Sequence, residues 1–255
     1  MKPEPVPADV PYYRLTVGHK TRYDVMGATQ FAALVALGLR ETHYLCDVGC
    51  GSLRAGRFLI PYLEAGHYCG IEPREDVLQA GIAHEIGHDL VGLREPRFDH
   101  GTDFGLARFG TPFDFVLAQS VFSHTYRDLA RVGLGGIADA LAPGGLFVGT
   151  VYERFPVFLP AGTAAAPDSS SGWEYPGAVA YSWREWRSML AEAGMVAKRL
   201  RWFHVRQSWF VAARRGDEKA IDEALRGVTG RLRGPGAIGH AKRRALARLR
   251  PQNGA

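Results

Sequence analysis

The chain has 255 residues, 46% of them hydrophobic and 22% charged, which is enough to bury one substantial core. No apolar run reaches the ~18 residues needed to cross a bilayer, and the proline-rich start at Met1–Pro5 is not typical of a signal peptide. We therefore expect a cytoplasmic protein without a membrane span. Its cysteines form no disulfide framework, and Cys46, Cys50 and Cys69 are expected to be reduced residues packed in the core.

The first predicted elements are a helix over Tyr23–Leu39 and a strand, glycine turn and helix start over residues 44–57. Asp47 lies at the carboxyl end of the strand, where a carboxylate can accept hydrogen bonds from a ligand. Gly49 and Gly51 let the backbone turn with positive φ and let a ligand lie against bare main chain. This unit predicts a nucleotide site.

Further strand signals follow in order, each with polar or glycine residues near its carboxyl end. They are Tyr68–Glu72, an apolar piece that ends in Asp99–Phe104, Phe113–Ser120, and a strand that follows a helix end and a Pro-Gly-Gly turn within Leu141–Thr150. Glu72 stands 21 residues beyond Gly51, about where a ribose-binding carboxylate is expected. Alternating strand and helix signals predict an α/β fold with a doubly wound, mostly parallel sheet and helices on both faces, because parallel strands need helical crossovers.

The motifs fit a dinucleotide site poorly, because Arg54 stands where that fingerprint requires a small residue. The Asp-x-Gly-x-Gly pattern at residues 47–51 instead resembles the first motif of class I methyltransferases that use S-adenosylmethionine (SAM), although Leu53 replaces the usual third glycine. The later strand pieces resemble the family's other motifs in the same order. The resemblance implies a seven-stranded sheet that ends in an antiparallel strand, with SAM as cofactor and S-adenosylhomocysteine as product.

The resemblance also divides the chain into parts. They are N-terminal cap helices at 1–40, a SAM-binding, Rossmann-like catalytic domain at 41–213 with a lid insertion at 153–181, and a basic helical tail at 214–255. We expect a helix at Ser182–Ala193 and strands near Met195–Trp202 and Ser208–Ala213 to complete the sheet. Deletion of residues 217–255 is therefore expected to leave the cofactor-binding fold intact.

The resemblance places the cofactor along the carboxyl edge of the sheet. Glu72 would accept hydrogen bonds from the ribose, Asp103 would accept from the adenine amino group, and Phe104 would pack on the ring. The expected cofactor-binding residues are Asp47, Gly49, Cys50, Gly51, Glu72, Pro73, Asp103, Phe104, Gln119 and Ser120.

The segment 153–181 is much longer than an ordinary connection of ~4 to 6 residues. Because it leaves the carboxyl edge of the sheet, we favour an active-site lid over a mobile surface insertion. This segment and the amino-terminal stretch hold the expected acceptor-binding residues, Tyr13, His19, Trp173 and Tyr175.

Methyl transfer depends mainly on orientation, and a base is needed only when the acceptor is a hydroxyl or a protonated amine. His124 follows the fourth strand, near the expected position of the acceptor, and an imidazole can accept a proton near neutral pH. Glu153, at the end of the fifth strand, is the second catalytic candidate. A packed structural histidine and a carboxylate that only ties down the lid are the alternatives.

The segment His84–His88 fits the zinc-protease pattern His-Glu-x-x-His. It falls in the helix after the second strand, away from the carboxyl edge of the sheet, and Gly87 weakens that helix. No third ligand follows at a fixed spacing. We therefore expect no metal site.

The carboxyl-terminal tail differs from the rest of the chain in its charge. Residues 214–255 hold eleven Lys or Arg and four Asp or Glu, a net charge of +7 in a chain of net charge +5. Such a tail can attract nucleic-acid phosphates, but charged ends are more often solvated, and this one lacks aromatic residues that would stack on bases. Nucleic acid is thus the less favoured partner.

The favoured interpretation is a SAM-dependent methyltransferase acting on an oxygen or nitrogen of a small-molecule acceptor. An RNA methyltransferase and a non-methylating SAM-binding protein remain as alternatives. Against the first, Ser120-Val121-Phe122 follows Gln119 where amino-group methylation of nucleic acids typically uses Pro-Pro-aromatic. The sequence does not determine the acceptor or the oligomeric state.

Overall fold

The computed structural model describes residues 11–15, 17, 22–153, 166–167, 174–175 and 178–232. The predictions for His19 and Trp173, and for most of the segment 153–181, lie outside these residues. No helix in the described ranges is long and apolar enough to span a membrane.

The described strands, in chain order, are β1 (Leu45–Val48), β2 (Tyr68–Ile71), β3 (Arg97–Asp99), β4 (Phe113–Ala118), β5 (Leu141–Glu153), β6 (Ala166–Pro167), β7 (Glu174–Tyr175), β8 (Ala180–Tyr181), β9 (Met195–Leu200) and β10 (Ser208–Arg214). Seven of them form the main sheet in the order β3-β2-β1-β4-β5-β10-β9. β10 runs antiparallel to both of its neighbours, and the other main-sheet pairs are parallel. The predicted doubly wound, mostly parallel sheet with a terminal antiparallel strand is confirmed.

The described helices are α1 (Tyr12–Leu15), α2 (Tyr23–Leu37), α3 (Gly56–Tyr62), α4 (Glu75–Gly81), α5 (His88–Arg94), α6 (Arg127–Ala140), α7 (Trp183–Glu192) and α8 (Glu218–Leu232). They cover both faces of the sheet, which is why every residue of β1 is buried. Successive side chains of β10 show the two cores: Phe210 packs with Phe147 and Trp186 on one face, and Trp209 belongs to the other.

The helix predicted at Ser182–Ala193 is present as α7, and local chemistry explains its start. The Ser182 hydroxyl accepts a hydrogen bond from Glu185 N at 3.1 Å, and the Glu185 side chain accepts from Ser182 N at 3.4 Å. This capping box satisfies two backbone amides that have no partner within the helix.

The structure corrects the expected boundary of the basic tail. α8 packs against α2 and the sheet, and it buries Ile221, Ala224 and Val228 in the core. These residues recur at a spacing of three and four, so they form one apolar stripe on a helix whose other faces are charged. Residues 218–232 therefore belong to the folded domain. The net charge of residues 214–255 gives no indication of this apolar stripe.

The His-Glu-x-x-His segment forms a π-helical turn, Ile82–Ile86, that ends at Gly87 with φ of 78°. His88 begins the next helix, so the two histidines do not stand one turn apart on a single helix. Glu85 is buried and accepts hydrogen bonds from Tyr13 Oη at 2.9 Å and Arg14 Nε at 2.7 Å. The carboxylate thus anchors α1 to the helix that follows β2.

Candidate active site

A cavity lies at the carboxyl ends of β1, β2 and β4, the edge where ligands bind in open α/β sheets. It is partly open to solvent and combines apolar with polar lining residues, as small-molecule sites do. Its lining includes eight predicted site residues: Gly49, Gly51, Glu72, Pro73, Phe104, Gln119, Ser120 and His124. Asp47, Cys50 and Asp103 are not among the lining residues.

The glycine turn after β1 presents bare backbone to this cavity. Gly49 and Gly51 have φ of 67° and 56°, which favours glycine. A Cβ on Gly49 would lie 2.6 Å from Val121 Cγ2, and one on Gly51 would lie 2.4 Å from Val17 Cγ1. The turn is tied to the second strand because the amides of Gly49 and Cys50 both donate to Ile71 O.

Glu72 is held in place by two backbone amides. Its Oε2 accepts from Gly51 N at 2.9 Å, and its Oε1 accepts from Arg74 N at 3.0 Å. Burial raises the pKa of this carboxyl, and the two amide hydrogen bonds oppose the shift. Each carboxylate oxygen retains a further acceptor site, so Glu72 can accept hydrogen bonds from two neighbouring hydroxyls.

Asp47 lies beneath the cavity instead of lining it. Its side chain is buried and accepts a hydrogen bond from Tyr68 Oη at 3.0 Å. Burial raises the pKa of Asp47 to about 7. The structure therefore brings Asp47 to the glycine turn as a supporting group, and direct contact with a ligand stays a prediction. Cys50 is likewise buried under the turn.

Phe104 lines the far end of the cavity, which the sequence assigned to the adenine. Its backbone has φ of 57°, and its ring lies parallel to that of Phe122 with the centroids 5.7 Å apart. Gly133 of α6 lets this helix approach closely, since a Cβ there would lie 2.8 Å from the Phe104 ring. The strained backbone and close packing fix an apolar wall for a ligand ring.

Asp103 is held outside the cavity by Arg108. One Arg108 nitrogen, Nη2, lies 2.7 Å from Asp103 Oδ1 and 2.8 Å from Asp99 Oδ1. This guanidinium lowers the pKa of both carboxyls. Gly101 and Thr102 line the cavity in its place. The predicted contact between Asp103 and the adenine amino group requires the carboxylate to turn away from Arg108.

Gln119, at the end of β4, is the centre of a buried polar network that the sequence did not indicate. Its Oε1 accepts from Gln30 Nε2 of α2 at 2.6 Å and from Arg54 Nη2. Its Nε2 lies 2.9 Å from His204 Nε2. Burial, with a smaller contribution from Arg54, lowers the pKa of His204 to about 4, so this imidazole is neutral near pH 7.

Ser120 is fixed by residues distant in sequence. It has φ of 67°, and its amide donates to Thr150 Oγ1 of β5 at 2.9 Å. Gln207, just before β10, donates from Nε2 to the Ser120 hydroxyl and accepts from the Thr150 hydroxyl through Oε1. The turn after β4 is therefore braced by β5 and by the residue that precedes β10.

The structure separates the two catalytic candidates. His124 lines the cavity, and its ring meets the ring of Tyr152 edge-on, with the centroids 6.4 Å apart. Glu153 is the next residue of β5, so its side chain points to the opposite face of the strand. There it forms an ion pair with Arg199. The two candidates therefore lie on different sides of the strand, because its side chains alternate with a period of two residues.

The predicted acceptor residues are only partly described. Tyr13 is buried, stacks on His84 with the ring centroids 5.3 Å apart, and does not line the cavity. Tyr175 lies in β7, paired with Ala166. Its contact with an acceptor, like the contacts of His19 and Trp173, stays a prediction.

Both ends of the predicted lid lie at the carboxyl end of β5. The backbone of Tyr152 pairs with Ala180 in the parallel pairing of β5 with β8, and β8 forms the end of the segment. Val179 N donates to Ser123 O at 2.8 Å and ties the returning chain to the turn after β4. The segment between these points therefore starts and finishes beside the cavity, as a lid requires.

The family model described as a methyltransferase domain matches residues 46–147, which include the glycine turn, Glu72 and β4. No curated protein matches the sequence. Among solved structures, magnesium protoporphyrin IX methyltransferase from Synechocystis PCC 6803 with bound S-adenosylhomocysteine has a TM-score of 0.56 and 15% identity, covering 82% of this chain and 90% of its own.

Two other solved structures show the same similarity of fold. Streptomyces venezuelae DesVI has a TM-score of 0.57 and 17% identity, covering 82% of this chain and 98% of its own. The glycopeptide N-methyltransferase MtfA in complex with SAM has a TM-score of 0.54 and 13% identity, covering 74% of this chain and 94% of its own. At these identities the structures establish a common fold, and residues 46–147 carry the match to the family model.

Proposed function

We propose that this chain, which carries a methyltransferase domain within the class I methyltransferase fold, transfers a methyl group from SAM to an oxygen or nitrogen of a small-molecule acceptor. The observation that carries the proposal is the cavity between the bare Gly49–Gly51 turn and the fixed carboxylate of Glu72. It combines the backbone of the glycine turn, an acceptor for two hydroxyls and an apolar wall at Phe104. These are the chemical requirements of an adenosyl ligand.

The residues present fit this cofactor. A Cβ at either turn glycine would collide with the side chain of Val121 or Val17, so the two positions require glycine and their backbone lines the cavity. The Glu72 carboxylate would hold the ribose hydroxyls, and Phe104 would hold the adenine. Solved structures of this fold contain SAM or S-adenosylhomocysteine, which supports the same cofactor here.

When bound, SAM supplies a methyl group that the sulfonium has already activated. The chain then has to hold the acceptor atom in line and keep water out. Gln119 and Ser120, braced by β5 and β10, form the cavity wall beyond the glycine turn. His124 is placed to accept a proton from an acceptor hydroxyl or ammonium group, and the segment 153–181 would close over the acceptor.

The acceptor class is supported by two observations. The cavity is concave with an apolar wall at Phe104, as small-molecule sites are, and two of the similar folds are a magnesium protoporphyrin IX methyltransferase and a glycopeptide N-methyltransferase. An acceptor screen tests the proposal. The purified protein is incubated with SAM and fractions of a metabolite extract, and release of S-adenosylhomocysteine is recorded.

Release of S-adenosylhomocysteine that depends on a small-molecule fraction supports the proposal. Bulk RNA serves as the second arm of the screen, measured at low and high salt because phosphate-driven binding weakens steeply with salt. Methylation of RNA alone would establish the RNA alternative. SAM binding without turnover in either arm would favour a non-methylating binding protein.

A further inference from the structure

Arg54 is a buried cation that forms no ion pair in the described part of the chain, although the charge of Asp47 acts on it from a longer distance. The residue is 9% exposed and lines the cavity. Its Nη1 donates to Val17 O and its Nη2 to Gln119 Oε1, while Nε has no hydrogen-bond partner in the described part of the chain. A guanidinium carries five N–H donors, so most of this group's capacity is unused.

A buried guanidinium with unused hydrogen-bond donors destabilises the fold unless a ligand or a neighbouring group binds it. A buried charge requires a partner charge or a full set of hydrogen bonds, and the two carbonyl oxygens that Arg54 contacts supply neither. Burial lowers the pKa of Arg54 to about 10, so the group is still protonated near pH 7. Because Arg54 lines the cavity, the N–H groups of its terminal nitrogens that are not used by Val17 and Gln119 are available to a bound anion.

The cavity is polarised along its length. Glu72 presents a carboxylate on the side of β2, and Arg54 presents a guanidinium on the side of Gln119. His204, which also contacts Gln119, is neutral because burial and Arg54 lower its pKa. The positive charge near Gln119 therefore belongs to Arg54. A ligand with hydroxyl groups at one end and a carboxylate at the other matches this polarity.

We propose that Arg54 binds the amino-acid carboxylate of the cofactor and thereby sets the position of its methionine end. The inference rests on the proposed function and adds to it a residue that the sequence motif does not contain. Arg54 stands in the position that excluded a dinucleotide fingerprint. A planar guanidinium pairs with a carboxylate through two parallel hydrogen bonds, which fixes direction as well as distance.

Decarboxylated SAM tests this assignment directly, because it keeps the adenosyl, sulfonium and amino groups and lacks only the carboxylate. Calorimetry measures the affinities of SAM and decarboxylated SAM for the wild type, Arg54→Met and Arg54→Gln. The wild type should bind SAM about 10- to 100-fold more tightly than the decarboxylated compound, as expected for hydrogen bonds between charged groups. Both variants should bind the two compounds with nearly equal affinity.

Arg187→Met, on the exposed surface of α7, is the matched control and should keep the wild-type ratio. An Arg54 variant that keeps the full ratio would overturn the inference. If neither Arg54 variant folds, the ratio of the wild-type affinities for SAM and decarboxylated SAM is the test, since a ratio near one would also overturn the inference. Equal binding of both compounds by the wild type leaves the SAM site standing, whereas binding of neither refutes the proposed function itself.

Discussion

Gly51 and Glu72 are joined by a hydrogen bond of 2.9 Å from the glycine amide to Oε2, across 21 residues of sequence. The bond links the glycine turn after β1 to the end of β2, so one contact fixes both the backbone floor of the cavity and the carboxylate above it. The position of each therefore depends on the other.

Removal of the Glu72 carboxylate should weaken cofactor binding. Glu72→Ala deletes the proposed acceptor for the ribose hydroxyls and the tie to Gly51, at a cost of ~1 to 3 kcal/mol in SAM affinity. Calorimetry measures the change, and Glu75→Ala, on the exposed first turn of α4, should bind as the wild type does. An unchanged affinity in Glu72→Ala would place the ribose elsewhere.

His124 should affect the chemical step more than binding. If it accepts a proton from the acceptor, His124→Ala lowers kcat by ~10²-fold or more while SAM affinity changes little, and the rate loses its acidic limb against pH. The rate is measured with an acceptor found by the screen, and exposed His88→Ala is the control. Near-normal kcat in a folded His124→Ala protein would show that this residue only packs against Tyr152.

The carboxyl-terminal helix should be essential to folding. Ile221→Ala removes a side chain that is 1% exposed and should lower the free energy of unfolding by ~2 to 5 kcal/mol. Glu223→Ala, exposed on the same helix, should have little effect. Deletion of residues 217–255 should therefore unfold the protein, contrary to the expectation from sequence. Urea unfolding measures these differences, and wild-type stability in the deletion protein would show that α8 is dispensable.

Asp47 should make stability depend on pH. Burial raises its pKa from the usual 3.8 to about 7 in the folded protein. Between these values the unfolded chain has lost the proton that the folded protein keeps, so rising pH favours unfolding. From pH 4 to 7 the wild type should lose up to ~4 kcal/mol relative to Asp47→Asn, whose amide oxygen can still accept from Tyr68. A constant stability difference across this range would contradict the raised pKa.

The sequence predicted those cavity residues whose positions are determined by the order of strands and turns along the chain. A strand, a glycine turn and an acid after the next strand place Gly49, Gly51 and Glu72 at one edge of a parallel sheet. Local spacing is sufficient for such features because parallel strands share their carboxyl edge. The final antiparallel strand, in contrast, followed from the resemblance to the class I methyltransferases.

The rest depended on contacts that sequence spacing does not encode. Gln207 reaches Ser120 across 87 residues, and Gln30 reaches Gln119 across 89, so neither has a local signature. The ion pair of Asp103 with Arg108 is local, but its geometry decides that the carboxylate points away from the cavity. In the sequence, Arg54 served only to exclude a dinucleotide site. The structure shows that it is buried and lines the cavity.

SAM is proposed to bind in the cavity between the glycine turn and Glu72, and calorimetry of SAM with Gly49→Ala is the sharpest test of this site. The matched control is Gly110→Ala: φ is 66° at Gly110 and 67° at Gly49, but nothing lies within 4 Å of a Cβ at Gly110. We predict micromolar binding of one SAM per chain in the wild type and in Gly110→Ala, and a loss of several kcal/mol in Gly49→Ala. Tight binding of NAD with no binding of SAM would contradict the account.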